Sequence, residues 1–507
     1  MNKVKLLACA GVMLAAATAA NAGGILTNTN QSVDFLRNPA RDAAIGLDGV
    51  YSNPAGVAFL PEGFHLAFNW QYAHQTRTIN TTNRDFMMGA KNGANSTKTF
   101  EGVANAPIIP SLQAAYNKGD WSFQFNFSIP GGGGKCEFSN GLGSFESIVG
   151  GMARQLGGLA ATLNSQTKAG LPVANGYDVN GYMQGRQYYF GFQLGAAYKI
   201  NDNLSVYGGL RLLYGDASYK AKISDIKVYD TNKAEYDFAD YLDIVSPVAA
   251  AALQQVEAKI EQLEAGDMKV PAELRAQQAG LQSVQTLQEY RDGVNLQCDQ
   301  SGFGIAPILG VDYKIGRFNF AAKYEFKTRM KLKNKSTLDK GLSIEEVQKF
   351  RDGAKVDEDS PALLTLGAQW SPVDAVRINA GYHHFYDKNV TWYGNTQDKL
   401  AGGTNEYLAG VEWDITDRLT VSTGCQFTRY QLTDDYMNDM SFVTPSYSFG
   451  LGLSYKVSDV VKLSAAYFQT NYETYKMDCQ PTSMNNTTHN EFTRTNNVLG
   501  IGCEVTF

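Results

Sequence analysis

Five histidines are the first residues of this 507-residue chain that could do acid–base or metal chemistry. Hydrolysis would need a nucleophile beside a base, or a carboxylate close to a histidine. His383 and His384 are adjacent, so on a strand their side chains point to opposite faces. The chain contains no Gly-x-Ser-x-Gly, His-Glu-x-x-His or phosphate-loop motif. We therefore expect no enzyme activity, no catalytic residue, no bound metal and no cofactor.

The cysteines give no metal-binding pattern either. Five of them follow residue 22, an odd number without any Cys-x-x-Cys spacing. Cys425 and Cys503 fall within alternating strands, where cysteine behaves as a small hydrophobic residue. One disulfide among Cys136, Cys298 and Cys479 is compatible with the sequence, which does not determine the pairing.

The last strand carries a clear structural signal. Leu499, Ile501, Cys503, Val505 and Phe507 share one face, and small or polar residues share the other. Such a strand suits lipid on one side and a lumen on the other. Its final aromatic residue resembles the signal that barrel-assembly machinery reads in bacterial outer-membrane proteins. We expect that machinery, outer-membrane lipids and lipopolysaccharide as partners.

The first 22 residues have the features of an export signal. Lys3 and Lys5 form a basic region, an apolar stretch follows at residues 6–20, and Ala20-Asn21-Ala22 is a small-residue cleavage motif. Loss of the two lysines changes the formal charge from -6 to -8. This mild acidity argues against a nucleic-acid partner.

The composition favours strands rather than helices as the membrane-crossing elements. After residue 22 no apolar run reaches the roughly 18 residues of a spanning helix. The chain has 28 Tyr, 26 Phe and 50 Gly at a mean hydropathy of -0.28, as expected for a barrel with aromatic girdles. The alternative is a large secreted all-β protein.

Alternating segments from residue 63 onward are separated by connections of two very different lengths. They predict an all-β fold with seven strand pairs, a 14-stranded antiparallel transmembrane barrel over residues 63–507. The short connections, expected in the periplasm, lie at residues 117–120, 201–203, 315–317, 371–374, 416–418 and 457–459. The long ones, expected outside the cell, lie at residues 80–96, 131–185, 224–300, 334–360, 389–402, 433–440 and 476–489.

Charged residues fix which face of the strands is the lumen. Lys323, Glu325 and Lys327 alternate with aromatic residues, and a Lys facing lipid at mid-bilayer costs about 2–4 kcal/mol. These charges, with Arg211, Asp312, Arg377 and Glu412, are therefore expected inside the barrel. They suit a water-filled porin as well as a plugged barrel.

Residues 23–62 do not alternate and precede the first strand. They include Asn53-Pro54-Ala55 just ahead of the barrel, after an Arg-Asp-Ala-Ala stretch at residues 41–44. With the count of fourteen strands, these features resemble the FadL-like family of outer-membrane transporters for long-chain fatty acids and hydrocarbons. The resemblance implies that residues 23–62 form a hatch that plugs the lumen. It assigns the hatch motif to Asn53, Pro54 and Ala55.

The same resemblance implies a mobile gate and an opening in the wall. The gate would be the hatch terminus, Gly23, Gly24, Ile25 and Leu26, which reaches towards the ligand pocket. The opening would be a kink in the third strand, for which Pro130, Gly131 and Gly132 are the candidates. Proline removes a ladder donor and glycine permits bends, but the same residues commonly mark a strand end.

Two loop insertions, at about residues 140–172 and 243–292, have helical periodicity. In the first, Phe145, Ile148, Met152 and Leu156 share one face. The resemblance implies that this face forms a groove that takes ligand from outside. The alternative is that it packs internally, which is also the simpler interpretation of the helical hairpin in the second insertion.

Together these features predict a monomer in the bacterial outer membrane that takes up hydrophobic small molecules passively, by hatch rearrangement and lateral release. A general porin for polar solutes and a surface structural or adhesion barrel are the alternatives. The sequence does not specify the natural substrate, the height of the wall opening or the oligomeric state.

Overall fold

The computed structural model describes residues 28–340, 349–482 and 486–507. Its main feature is a closed antiparallel barrel of fourteen wall strands, which confirms the predicted fold and strand count. In chain order they are β1 Gly63–Thr82, β2 Thr97–Lys118, β3 Trp121–Phe138, β4 Ala174–Lys199, β5 Leu204–Asp230, β6 Val294–Ile315, β7 Phe318–Glu325 with Lys331–Lys340, β8 Lys355–Asp357 with Leu363–Val373, β9 Val376–Phe385, β10 Thr404–Asp414, β11 Leu419–Arg429, β12 Ser446–Lys456, β13 Val461–Tyr472 with Tyr475–Thr482, and β14 Asn486–Thr506.

Three of these wall strands are interrupted once, and each continues in the same place in the wall. A further short strand, Glu235–Asp237, extends the upper end of β5. The barrel closes between the first and last strands, with Leu66 opposite Val505 and Thr82 opposite His489. The closure leaves neither terminal strand with an unpaired edge, as a membrane-spanning sheet requires.

The outside of the wall is a belt of exposed apolar and aromatic side chains. Phe303, Leu451 and Leu194 are 70%, 58% and 64% exposed. In water such a surface would be costly, whereas lipid covers it. No helix in the described ranges is long and apolar enough to cross a membrane.

Several strands are longer than the sequence pattern predicts. β3 continues to Phe138 instead of ending near Ile129, and β6 begins at Val294 instead of near residue 301. On the upper part of β6 the outward residues are polar, among them Asn295 and Asp299. There the alternation is inverted, with polar residues outside and apolar Val294, Leu296 and Cys298 buried inside, so the lipid-facing pattern ends although backbone pairing continues.

Four α-helices accompany the barrel in the part of the chain that the structure describes. α1, Val33–Arg37, lies inside the lumen; α2, Gly143–Thr167, and the hairpin of α3, Phe238–Ala265, and α4, Ala272–Leu287, belong to the long connections. The helices predicted in both insertions are thus present. α3 and α4 bury Ala252, Val256 and Leu281 against each other.

The cysteines form no disulfide where the structure describes their side chains. Cys136 and Cys298 are buried free thiols, and Cys425 and Cys503 are half-buried free thiols in the wall. For Cys425 and Cys503 this agrees with their interpretation as small hydrophobic residues. Cys136 and Cys298 lie within β3 and β6, and no disulfide joins them.

The first prediction concerns the outer belt. Leu451→Arg places a charge in the middle of an outward face and should lower the free energy of unfolding in lipid by about 2–4 kcal/mol. Tyr455→Arg, near the end of the same strand, should cost about 1 kcal/mol or less because the charge reaches the interface. Urea titration of the refolded barrel in vesicles measures both, and equal costs would contradict the position of the belt.

Candidate functional site

The described part of the hatch, residues 28–62, lies inside the barrel. The Ser32 hydroxyl caps α1 by accepting a hydrogen bond from the backbone N of Phe35 at 3.1 Å. Val33, Leu36 and Phe35 are buried in an apolar cluster with Phe468 of β13. The local sequence thus starts a short helix and packs its apolar side against the wall.

Buried ion pairs fix the hatch to β10. Arg37 contacts Glu412 at 2.8 Å, and Arg41 contacts Glu412 at 3.0 Å and Asp48 at 2.8 Å. Arg37 also pairs with Asp34 at 2.7 Å. Burial favours neutral Asp34, but attraction from nearby cations, first Arg37, outweighs it and holds the pKa of this carboxyl well below its usual range.

The Asn53-Pro54-Ala55 segment contacts three different wall strands. The Asn53 amide donates to Asp312 Oδ2 at 2.6 Å, and this side chain is 2% exposed. Gln124 Nε2 donates to the carbonyl of Pro54 at 2.8 Å, and Ser205 Oγ donates to the carbonyl of Ala55 at 2.7 Å. These contacts hold the segment in place from both sides.

Lumen-facing charges also meet the hatch. Lys323 Nζ donates to the carbonyl of Tyr51 at 2.7 Å, and Arg211 pairs with Glu325 at 2.5 Å beneath the same tyrosine. The inward orientation predicted for these residues is confirmed. Lys323 donates a hydrogen bond to a backbone carbonyl of the hatch, and Arg211 and Glu325 neutralise each other's charge.

Strand pairing in the wall is interrupted between β2 and β3. Ala104 pairs with Cys136 and Leu112 pairs with Phe127, and the ladder between these points is missing. On the other side of β3 the register with β4 shifts between Ser128 and Gly131 and again between Gly131 and Gly134. We call the unpaired stretch, residues 105–111 of β2 and 128–135 of β3, the wall opening.

The strand-break candidates lie within this stretch. Pro130 has no N–H to donate. Gly132 has a φ of +104°, and a Cβ there would lie 2.3 Å from the carbonyl oxygen of Gln187. β3 continues beyond Pro130, Gly131 and Gly132, so they form a kink within the strand and not the start of a loop.

The first described hatch residues fill the wall opening from inside. Ile129 donates its backbone N–H to Gln31 Oε1 at 2.9 Å and accepts from Gln31 Nε2 at 3.1 Å. Asn28 donates its backbone N–H to the carbonyl of Pro130 at 2.9 Å. These bonds replace strand partners that the kinked backbone lacks, as buried peptide groups require.

Two cavities meet at this segment. The larger, about 180 Å³, is lined by hatch residue Phe35 and by Ala106, Ile109 and Tyr188 around the wall opening. The smaller, about 20 Å³, lies on the other side of the kink and is lined by Tyr189, Leu213 and Phe385 among others. Asn28 and Thr29 line both cavities, so they separate them.

The larger cavity is of the size that holds a small aromatic molecule, because a protein cavity of about 150 Å³ binds benzene. The lining of this cavity is partly apolar and partly polar: it includes apolar Phe35, Phe468 and Val498 and polar Gln426 and Arg494. In the described residues no three His, Cys, Asp or Glu side chains are arranged so that they could hold a metal ion together.

His383 connects the hatch to this cavity. Its Nε2 contacts Asp42 Oδ1 at 2.9 Å and its Nδ1 contacts Glu406 Oε2 at 2.7 Å, with all three side chains buried. Glu406 in turn lines the larger cavity. Sequence reasoning missed this bridge. The only available signal was that one of the paired histidines must face the lumen.

The other predicted site residues lie elsewhere. Phe145, Ile148, Met152 and Leu156 are all at most 6% exposed, within a large apolar cluster formed by the long connections. A ligand would reach them only if that cluster opened. Gly23, Gly24, Ile25 and Leu26 lie outside the described residues.

No family model matches the chain, and no curated protein matches it in a sequence search. Solved structures do match. A Pseudomonas aeruginosa FadL homologue superimposes with a TM-score of 0.61 at 13% identity, over 95% of this chain and 99% of that one. The P. putida toluene transporter TodX gives a TM-score of 0.53 at 13% identity, over 91% of this chain and 94% of that one. The chain has the FadL fold.

A TodX deletion mutant described as a monoaromatic hydrocarbon channel gives a TM-score of 0.51 at 13% identity, over 94% of this chain and 99% of the mutant. The FadL fold and the apolar outer belt place this chain among bacterial outer-membrane barrels.

The second prediction tests the hatch anchor. Glu412→Ala leaves Arg37 and Arg41 without their shared partner, and breaking a buried pair in this way costs about 3–5 kcal/mol. Amide hydrogen exchange of residues 33–44 should become faster in the variant. Asp374→Ala removes an exposed ion pair with Arg317 and should leave exchange of the hatch unchanged. Unaltered exchange in Glu412→Ala would show that the ion pairs do not hold the hatch.

Proposed function

We propose that this barrel takes up hydrophobic small molecules passively across the outer membrane and releases them sideways through the wall opening. The observation that carries the proposal is the cavity beside an unpaired stretch of wall, in a barrel whose lumen contains a hatch. An axial pore for polar solutes would have no use for an interrupted wall. The FadL fold and the toluene transporter among its structural neighbours support the substrate class.

In this mechanism the wall opening determines which molecules leave. A polar solute entering the membrane there would lose its hydration in hydrocarbon, whereas an apolar one gains from the transfer. Ala106 and Ile109 line the cavity on the β2 side, and Tyr188 lines it from β4. We call these three residues the frame of the wall opening. Lateral exit past them needs no energy source, because the membrane itself is the favourable solvent for an apolar molecule.

The gate is the segment at residues 28–31, in which Asn28 and Thr29 separate the two cavities. Asn28 and Gln31 hold the opening with neutral hydrogen bonds, each worth about 0.5–1.5 kcal/mol net. We propose that ligand displaces this segment and the preceding Gly23, Gly24, Ile25 and Leu26. Asn53, Pro54 and Ala55 stay fixed as the hinge, because buried wall contacts hold them on both sides.

Capture begins at the large apolar cluster formed by the long connections, which we call the outer apolar cluster. We propose that the long connections separate transiently and that Phe145, Ile148, Met152 and Leu156 then contact the ligand. α2, which carries all four, also packs on β4, the strand that borders the wall opening. A ligand that enters along this helix thus approaches the opening from above.

The third prediction concerns the exit. Ala106→Trp adds a bulky ring at a position that pairs with β1 but not with β3, so it should fill the wall opening. Uptake of toluene or a long-chain fatty acid should slow by roughly tenfold, equivalent to about 1.4 kcal/mol in the barrier. The control is Ala114→Trp on the outward face of the same strand, at a residue that pairs with both β1 and β3.

Radiolabelled substrate uptake into cells that produce each variant at equal surface level is the measurement. Uptake of a small sugar should be the same in cells with and without the protein. If Ala106→Trp transports like the control, release does not use the wall opening. If loss of the protein lowers sugar uptake equally, the porin function is correct instead.

The fourth prediction concerns capture. Leu156→Asn puts an amide into the outer apolar cluster. Full burial of a leucine side chain contributes about 1.5–3 kcal/mol, and part of this contribution comes from contact with ligand in the proposed mechanism. The variant should therefore need up to about tenfold more ligand for half-maximal binding. Leu281→Asn makes the same change in the separate α3–α4 cluster. Binding of a fluorescent fatty acid to folded, purified protein measures both. Equal affinities would mean that the α2 face only packs internally.

A further inference from the structure

The outer face of β6 changes from apolar to polar at one level, and the neighbouring strand β7 carries exposed lysines there. Along β6 from Ile315 towards the outer end at Val294, the outward residues are apolar as far as Phe303. From Ser301 to the outer end they are polar. On β7, Lys333 lies directly opposite Ser301 and Lys335 lies opposite Asp299. Same-face neighbours on a strand are about 7 Å apart. Lys333 therefore lies about one such step above the apolar belt, within the 5–8 Å or so of the headgroup region.

Three exposed lysines form what we call the lysine patch: Lys333 and Lys355 at this level, and Lys335 one same-face step above them. Lys355 on β8 is the direct cross-strand partner of Lys333. Like charges directly opposite each other weaken a sheet. Among the described residues, none of the three ammonium groups has an ion-pair or hydrogen-bond partner, whereas the adjacent Lys331 pairs with Asp357 at 3.1 Å.

Among the described residues three acids lie beside the patch, fewer than the five cations Arg329, Lys331, Lys333, Lys335 and Lys355, so the patch is positively charged. Asp357 is occupied by Lys331, and Asp352 accepts a hydrogen bond from the backbone N of Ser336 at 2.9 Å. Asp299 faces the same side as Lys335 without forming an ion pair with it. Exposed Arg329 adds another cation on the side of the apolar belt. The Lys333–Lys355 pair is therefore a place where an anion would remove a repulsion.

We propose that the lysine patch binds the phosphate groups of lipopolysaccharide in the outer leaflet. The patch is at the end of the barrel that carries the long connections, which faces outward in such barrels. A phosphate between Lys333 and Lys355 forms charge-assisted hydrogen bonds to both ammonium groups. The acyl chains of the same molecule then cover Phe303 and the belt below it. This continuity of charge and apolar surface selects a phosphorylated lipid over a free anion.

The test uses the purified full-length barrel and fluorescent lipopolysaccharide. The Lys333→Glu, Lys335→Glu, Lys355→Glu triple variant should need at least about tenfold more lipopolysaccharide for half-saturation than the wild type. The matched control makes the same charge change at Lys233, Lys259 and Lys269, exposed lysines of the long connection between β5 and β6 that carries α3 and α4. It should bind like the wild type.

Three results would overturn the proposal: wild-type affinity in the triple variant, equal weakening in the control, or equally tight wild-type binding of dephosphorylated lipopolysaccharide. Inorganic phosphate at the lipid's half-saturating concentration should not displace the lipid, and displacement would assign the patch to a free anion. Migration of unheated protein on a gel reports folding. If the triple variant does not fold, Lys333→Gln with Lys355→Gln should still weaken binding, and unchanged binding there also contradicts the proposal.

Discussion

Backbone pairing in hydrocarbon is the constraint on which the rest of this structure depends. A peptide group facing lipid has no water to bond, so each wall strand needs a partner on both sides. At the wall opening β2 and β3 do not supply one another. The hatch takes over part of that function through Gln31 and Asn28. Wall and hatch are therefore one hydrogen-bonded unit, and the wall can be interrupted only because the hatch lies behind it.

The hatch is held by two kinds of interaction with different strengths. Around Arg37, Arg41 and Glu412 the contacts are buried ion pairs, which are costly to break once formed. At residues 28–31 they are neutral hydrogen bonds to a kinked strand, which water or a neighbouring group can replace at lower cost. This difference favours local movement of the segment at the opening over expulsion of the whole hatch. His383, between Asp42 and Glu406, lies where the fixed part meets the cavity.

Sequence patterns predicted the barrel well because lipid imposes a simple rule on every strand. Leu451 and its neighbours alternate because one side must be apolar, and the inward positions of Arg211, Lys323 and Glu412 follow from the cost of a charge in lipid. Strand ends were harder to predict. Above the bilayer the outer face is free to be polar and the long connections bury the inner face, so the upper parts of β3 and β6 alternate with the opposite polarity and lack the lipid-facing pattern.

The site itself was only partly accessible from sequence. Pro130 and the following glycines signalled a break, but their position within a continuing strand depends on pairing with residues far away in the chain. The contacts of Gln31 with Ile129, and of His383 with Asp42, join distant segments and have no local pattern. The burial of Phe145 and Leu156 likewise results from packing of several long connections, which helical periodicity cannot determine.

The central claim is that a hydrophobic ligand passes through the wall between β2 and β3, and photo-crosslinking during transport tests it most directly. A diazirine-labelled fatty acid or alkylbenzene is taken up by intact cells, activated by light, and its attachment sites are mapped by mass spectrometry. The account predicts labels at Ala106, Ile109 and Tyr188, on the frame of the wall opening. Labels confined to periplasmic ends of the lumen, around Asn117 and Ser205, with none at that frame would contradict it.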